Sequence, residues 1–219
     1  YFVGLEAETR MSNGWTYGFR GRVYSGEVDY DGQTTGASPV VKVTTDTDYT
    51  GAAVALDFTH PLPAPAGPEV ALRVGIGVDH WRRHILDSGS ISGAEERYPI
   101  PSVSVGLVLH PDAGVGWHAP AGVTVPFATQ EEVPALRPPP RVSLGLWPDF
   151  SLYADLGYRF NQRWDASLYY HGYRFKKSDT EVLTVDGNRV DFNGDGFADA
   201  AFQPESRQDA WGVRVRYWF

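Results

Sequence analysis

The chain has 219 residues, 14% aromatic residues, 24 glycines and a formal net charge of −8. One domain or one barrel accounts for that length, and the acidic balance argues against nucleic acid as a partner. There is no cysteine, which excludes disulfides and thiolate metal sites. No apolar run approaches the ~20 residues of a membrane helix, so a membrane-spanning form of this chain has to be a closed barrel. The only methionine is Met11, so a processed product or fragment is expected, with a removed signal peptide as the simplest account.

Period two recurs along the chain and a 3.6-residue period does not, so the expected fold class is all-β. From Val3 to Val23 the apolar and aromatic residues keep to odd positions, while Glu6, Glu8, Arg10, Arg20 and Arg22 take even ones. Asn13-Gly14 is a hairpin signal. A two-residue turn would reverse the parity, so one long first strand is expected, bulged at Ser12–Gly14; two shorter strands are the alternative. Residues 25–48 are polar, acidic and glycine-rich and are expected to form a long loop. The second strand, about 49–59, turns Ala52, Val54, Leu56 and Phe58 outward and Asp57 inward. After a proline-rich turn at 61–68, Val70, Leu72, Val74, Ile76 and Val78 alternate with Arg73, two glycines and Asp79.

Residues 83–97 are read as a charged loop. The fourth strand sets Val103, Val105, Leu107 and Leu109 outward and ends in a turn at 110–114. The fifth, about 115–127, contains Pro120. A proline-rich loop follows at 128–149, in which Val142, Leu144 and Leu146 pair locally. Leu152, Ala154, Leu156, Tyr158 and Phe160 form the outward face of the sixth strand, opposite Asp155 and Arg159. A minimal turn at 161–163 leads to the seventh strand, with Trp164, Ala166, Leu168 and Tyr170 outward and Asp165 inward. Residues 176–207 form the longest expected loop. The last strand, Asp209–Phe219, faces Trp211, Val213, Val215, Tyr217 and Phe219 one way and Arg214, Arg216 and Trp218 the other.

Eight strands, short turns at one end and long loops at the other describe an antiparallel up-and-down transmembrane β-barrel. The final strand, with Val213, Val215, Tyr217 and a terminal Phe219, resembles the C-terminal targeting strand of bacterial outer-membrane β-barrel proteins. The whole chain resembles the small eight-stranded members of that group. The resemblance implies a bacterial outer-membrane location with lipid and lipopolysaccharide as surroundings. It implies no single activity, because such barrels include anchors, adhesins, pores and enzymes. A soluble β-sandwich is the alternative fold.

Parity directs thirteen charged residues inward: Glu6, Glu8, Asp57, Asp79, Asp155 and Asp165 against Arg10, Arg20, Arg22, Arg73, Arg159, Arg214 and Arg216. A nearly balanced set is expected to pair across the lumen and seal it, because an unpaired ion in a dry interior costs several kcal/mol. A narrow path for small ions is the alternative. Aromatic girdles are expected from Phe160, Trp164, Tyr217 and Phe219 at one end and from Tyr49, Tyr98, Phe150 and Tyr173 at the other. Arg82 and Arg83 at a loop end suit lipopolysaccharide phosphates.

The stretch Asp191–Asp199 spaces Asp191, Asn193, Asp195, the Phe197 carbonyl and Asp199 as ligands around Gly196. It resembles the calcium loops of EF-hand-like and dockerin-type modules, without their flanking helices and without an acid at Phe202. Ca2+ is therefore the expected cofactor. Asp29 and Asp31, with His80 and His84, are the candidates for a catalytic rim. They lack the His-x-Asp pairing such a site needs, and no nucleophile motif occurs. The chain is expected not to be an enzyme. Its expected role is structural or surface-interactive, with self-association through the barrel wall or the loops.

Overall fold

The computed structural model describes residues 1–33, 42–63, 69–89, 93–110, 115–127, 129–133, 142–185, 187–191, 194, 196–203 and 205–218. Among these the chain is all-β, with no helix. The elements are β1 (Phe2–Arg10), β2 (Thr16–Gln33), β3 (Lys42–Pro61), β4 (Glu69–Ile85), β5 (Ala94–His110), β6 (Gly116–Pro126), β7 (Thr129–Val133), β8 (Val142–Pro148), β9 (Ser151–Arg159), β10 (Trp164–Lys176), β11 (Glu181–Val182), β12 (Thr184–Val185), β13 (Asn188–Arg189), β14 (Ala200–Ala201) and β15 (Ser206–Tyr217). The wall is one antiparallel sheet in the order β1-β2-β3-β4-β5-β6-β9-β10-β15. The β7–β8 hairpin extends the same sheet at the long-loop end, β7 pairing with β5 and β8 with β10, and two short two-stranded ribbons, β11–β14 and β12–β13, lie between β10 and β15 in the chain.

The sheet is strongly curled into a half-barrel. Tyr173 on β10 reaches Asp79 on β4 at 3.1 Å, although β5, β6 and β9 separate those strands along the wall. Arg216 on β15 lies 3.6 Å from Glu6 on β1, so the two ends of the sheet face one another.

The expected outward faces are the exposed ones. Ile76 is 51%, Leu168 61% and Val213 68% exposed, and the outward residues of β3, β4, β5, β9, β10 and β15 follow the same pattern. The opposite face is inverted in polarity: Asp57, Asp79, Asp155 and Asp165 are all buried. A soluble domain places these two sets the other way round.

Three expectations are corrected. The first strand is a hairpin, β1–β2, with Met11 and Trp15 paired around Ser12–Gly14 and Gly14 at φ 86°. A three-residue loop preserves parity, which is why the alternation runs through it unbroken; Asn13 Oδ1 accepts the Trp15 amide and closes the turn. The wall consequently holds nine strands among the described residues, not eight. The long loops are also shorter than expected. β2 runs to Gln33 and β3 starts at Lys42, and β4 and β5 pair from Ile85↔Ala94 downward. Above the apolar band the outward positions become polar, as at Asp46, Asp48, Arg82 and His84, so the backbone ladder continues where the outward apolar signal stops.

Candidate functional site

The interior is a stack of carboxylates, each held by groups arriving from other strands. Nearest the short-turn end, Asp165 accepts from Arg216 Nε at 2.7 Å and from Trp218 Nε1 at 2.7 Å. Arg216 also approaches Glu6 and lies 3.2 Å from His118 Nε2. Arg159 stacks over the Trp218 ring at 4.7 Å. One step along, Arg214 Nη1 donates to Asp155 at 2.9 Å and lies over Tyr169 at 5.0 Å and Phe2 at 5.6 Å. Arg20 holds Asp57 through two hydrogen bonds of 2.6 and 3.0 Å.

Higher still, Asp79 is the most densely bonded acid. It accepts from Arg22 Nη2 at 2.9 Å, the Tyr24 hydroxyl at 2.6 Å and the Tyr173 hydroxyl at 3.1 Å. Arg22 Nη2 also sits 3.4 Å from His171 Nδ1. Three strands from three parts of the chain thus meet on one carboxylate. Tyr24 reaches it by lying across Gly51, where a Cβ would come within 2.2 Å of the ring.

Of the thirteen inward charges expected, nine are joined in these pairs: Glu6, Arg20, Arg22, Asp57, Asp79, Asp155, Asp165, Arg214 and Arg216. Arg159 is held by stacking, and the buried Nε atoms of Arg73 and Arg159 have no hydrogen-bond partner. Glu8 and Arg10 lie exposed near the first hairpin. Sequence reasoning that collected only charges missed Tyr24, Tyr173, His118, His171 and Trp218. Their parity is the same, and neutral hydroxyl, imidazole and indole groups satisfy buried ions as well as opposite charges do.

Above Asp79 the lumen becomes apolar. Trp81, Tyr98, Ile100, Leu146, Tyr173 and Phe175 form a buried cluster, with Trp81 and Tyr173 rings 4.9 Å apart. Leu146 comes from the β7–β8 hairpin, which continues the wall between β5 and β10 and turns this side chain into the lumen. This corrects the expected upper girdle. Tyr98 and Tyr173 are core residues and Tyr49 lines the recess above them, leaving Phe150 on the outside. At the other end Phe160, Trp164 and Tyr217 are exposed; Phe219 lies outside the described residues. The recess bounded by Tyr49, Trp81, Arg83 and Phe175 measures about 40 Å³, far below the roughly 300–1,000 Å³ of a ligand pocket.

At the rim, Arg83 turns inward and pairs with Glu96, while Arg82 and Arg97 converge on Glu95 at 2.5 and 2.7 Å. The hydrogen bonds from Arg82 and Arg97 hold the Glu95 carboxyl below its ordinary value. Asp209 receives the Tyr170 hydroxyl at 2.6 Å, Arg174 at 2.7 Å and Arg207 at 2.5 Å. Those bonds, Tyr170 first, lower its pKa to about 2.

In the expected calcium loop, Asp191 accepts the amides of Gly194 and Gly196, both at 2.7 Å. Gly194 and Gly196 have φ 75° and 87°, so the backbone turns as tightly as a cation loop requires. Asp199 is tied to Val190 and Leu183 through its backbone. Asn193 and Asp195 lie outside the described residues. His80 and His84 point outward from β4 and Asp29 faces Asp46 across a strand pair, so these groups are not gathered into one site. Asp31 pairs along β2 with Thr44.

The chain matches no protein-family model, and no curated protein matches it in sequence. Its functional reading therefore rests on the polarity of its two sheet faces and on the charged stack between them.

Proposed function

We propose that this protein is an integral β-barrel of the bacterial outer membrane, closed in the bilayer, with a structural and surface-interaction role. The observation that carries the reading is the inversion of polarity. A continuous apolar wall is solvent-exposed, while four aspartates are buried on the opposite face of the same strands. Lipid covers such a wall at no cost, whereas water does not. Ion pairs bridging strands and an aromatic plug above them support a sealed lumen. Turning ends toward the periplasm and long connections toward the outside leaves the Arg82–Glu95–Arg97 rim facing lipopolysaccharide. In this reading the Asp191–Asp199 loop takes Ca2+ from the extracellular medium, and copies associate laterally through the wall or the loops. No catalytic step is assigned.

A narrow pore for small ions is the second reading. It draws on Arg73 and Arg159, whose buried Nε atoms have no hydrogen-bond partner among the described residues. Planar-bilayer recordings separate the two: silence supports the sealed barrel, steady anion-selective steps the pore.

The primary test is electrophoretic mobility before and after boiling, with protein refolded in detergent micelles with calcium or with chelator. A folded band that migrates apart from the boiled one is expected. Chelator is expected to speed proteolysis within 176–207. A protein that stays soluble and monomeric without detergent overturns the membrane reading.

A further inference from the structure

Four inward guanidiniums have carboxylate partners: Arg20 with Asp57, Arg22 with Asp79, Arg214 with Asp155, and Arg216 with Asp165 and Glu6. Among the described residues Arg73 has none, and its buried Nε makes no hydrogen bond. Arg159 has none either, but its guanidinium lies over the Trp218 ring. With the exposed Glu8 and Arg10 left out, five inward carboxylates face six inward guanidiniums. The lumen carries one positive charge in excess, and Arg73 is the arginine that no group of the chain compensates.

Backbone pairing puts Arg73 in one row of the wall with Thr59, Gly106, Gly122, Tyr153 and His171. No acid stands in that row. Tyr153 lies along it, across both glycines: a Cβ at Gly106 or at Gly122 would collide with its hydroxyl. Gly106 is the residue directly opposite Arg73, at about 5 Å between Cα atoms, so the hydroxyl ends beside the arginine. That hydroxyl is buried and also has no hydrogen-bond partner. The acids of the two neighbouring rows are committed elsewhere, Asp57 to Arg20 through two hydrogen bonds and Asp155 to Arg214 through Oδ2.

We propose that Arg73 and Tyr153 hold a chloride-sized monovalent anion inside the lumen. A guanidinium and a phenol are both donors, and buried donors take an acceptor. The excess to be balanced is one charge, so a monovalent ion balances it. The two donors come from different strands and at different angles. A spherical ion accepts from any direction, whereas a carboxylate favours the two parallel N–H bonds of a single guanidinium. The Tyr153 ring covers the floor that Gly106 and Gly122 open, which keeps the ligand small. The site lies on the inner face of the curled sheet, so it depends neither on the membrane reading nor on conduction.

The test is the equilibrium urea midpoint of the folded protein as sodium chloride replaces sodium gluconate at constant ionic strength, approached from both the folded and the unfolded side. An anion that binds only the folded state raises stability with the logarithm of its concentration once the site fills. The expected result is a midpoint that rises with chloride in the natural protein and in Lys176→Gln, which removes an exposed cation. Arg73→Gln and Tyr153→Phe are each expected to lose that rise. Tyr153→Phe keeps the ring over the two glycines and removes only the hydroxyl. Where Arg73→Gln fails to fold, Tyr153→Phe alone decides.

A midpoint indifferent to chloride in the natural protein overturns the proposal, and water then serves these donors. A rise that either variant keeps in full overturns it too, because chloride then acts elsewhere. Failure of the membrane reading looks different: the protein stays soluble without detergent, and the same titration is run in plain buffer.

Discussion

Asp79 is the residue on which the interior converges. Arg22, Tyr24 and Tyr173 all donate to it, and removing its carboxylate leaves the half-buried Arg22 beside the His171 and Tyr24 rings without its ion-pair partner. Breaking a buried pair from one side costs about 3–5 kcal/mol. Asp79→Ala is therefore expected to lower the unfolding free energy of micelle-folded protein, read from urea titration, by up to that amount, and Glu8→Ala, an exposed acid, to leave it unchanged. Asp209 makes the corresponding argument outside the apolar band. Its folded pKa is about 2, below the ordinary aspartate value of about 3.9. The stabilisation is fully present above about pH 4 and is lost as pH falls through 2. Thermal unfolding of the natural protein is expected to steepen its pH dependence between pH 4 and 2, and Asp209→Asn to remove that step. An identical pH profile in the variant would show that Tyr170, Arg174 and Arg207 contribute nothing through this carboxyl.

Single strands carry two environments, and β4 displays both. Its band from Leu72 to Val78 alternates apolar residues against Arg73, glycines and Asp79, while Trp81 and Arg83 above it enter the lumen. Ile76 is at the centre of the exposed face. Ile76→Arg is expected to destabilise the bilayer-inserted protein by about 2–4 kcal/mol, the cost of arginine at the bilayer midplane. The reverse change at the exposed rim, Arg82→Ile, is expected to have little effect on stability. Equal effects at both positions, measured by reversible unfolding in lipid vesicles, would contradict a membrane band that ends below Trp81. The β1–β2 hairpin shows how turn length controls such patterns. Three residues between Met11 and Trp15 keep odd positions on one face, so Val3, Leu5, Phe19 and Val23 share the exposed side.

At the scale of the molecule, curvature turns a list of alternating strands into an interior. Curling brings β10 to β4 and β15 to β1, contacts that no local sequence separation suggests. The stack of aspartates occupies the lower lumen and the Trp81 cluster the upper, with a recess of about 40 Å³ above it. Whether the lumen conducts is a question at this scale, and planar-bilayer recordings on the whole protein answer it.

The sequence by itself determined which face of each strand points outward. Val54, Ile76, Val105, Leu168 and Val213 were legible because a strand repeats every two residues, so an apolar stripe stands out against the charges alternating with it. It also determined the inward set from Arg20 to Arg216, since parity alone assigns it. It left open which acid meets which base, because partners such as Tyr173 and Asp79 lie 94 positions apart and pair only once the sheet curls. The first hairpin escaped for the opposite reason: a three-residue loop leaves the alternation untouched, so one strand and two look alike. Strand length above the band was hidden too, because the outward positions there are polar and resemble a loop. Only the tertiary structure decided these, through backbone pairing and curvature, which act on residues regardless of side-chain pattern.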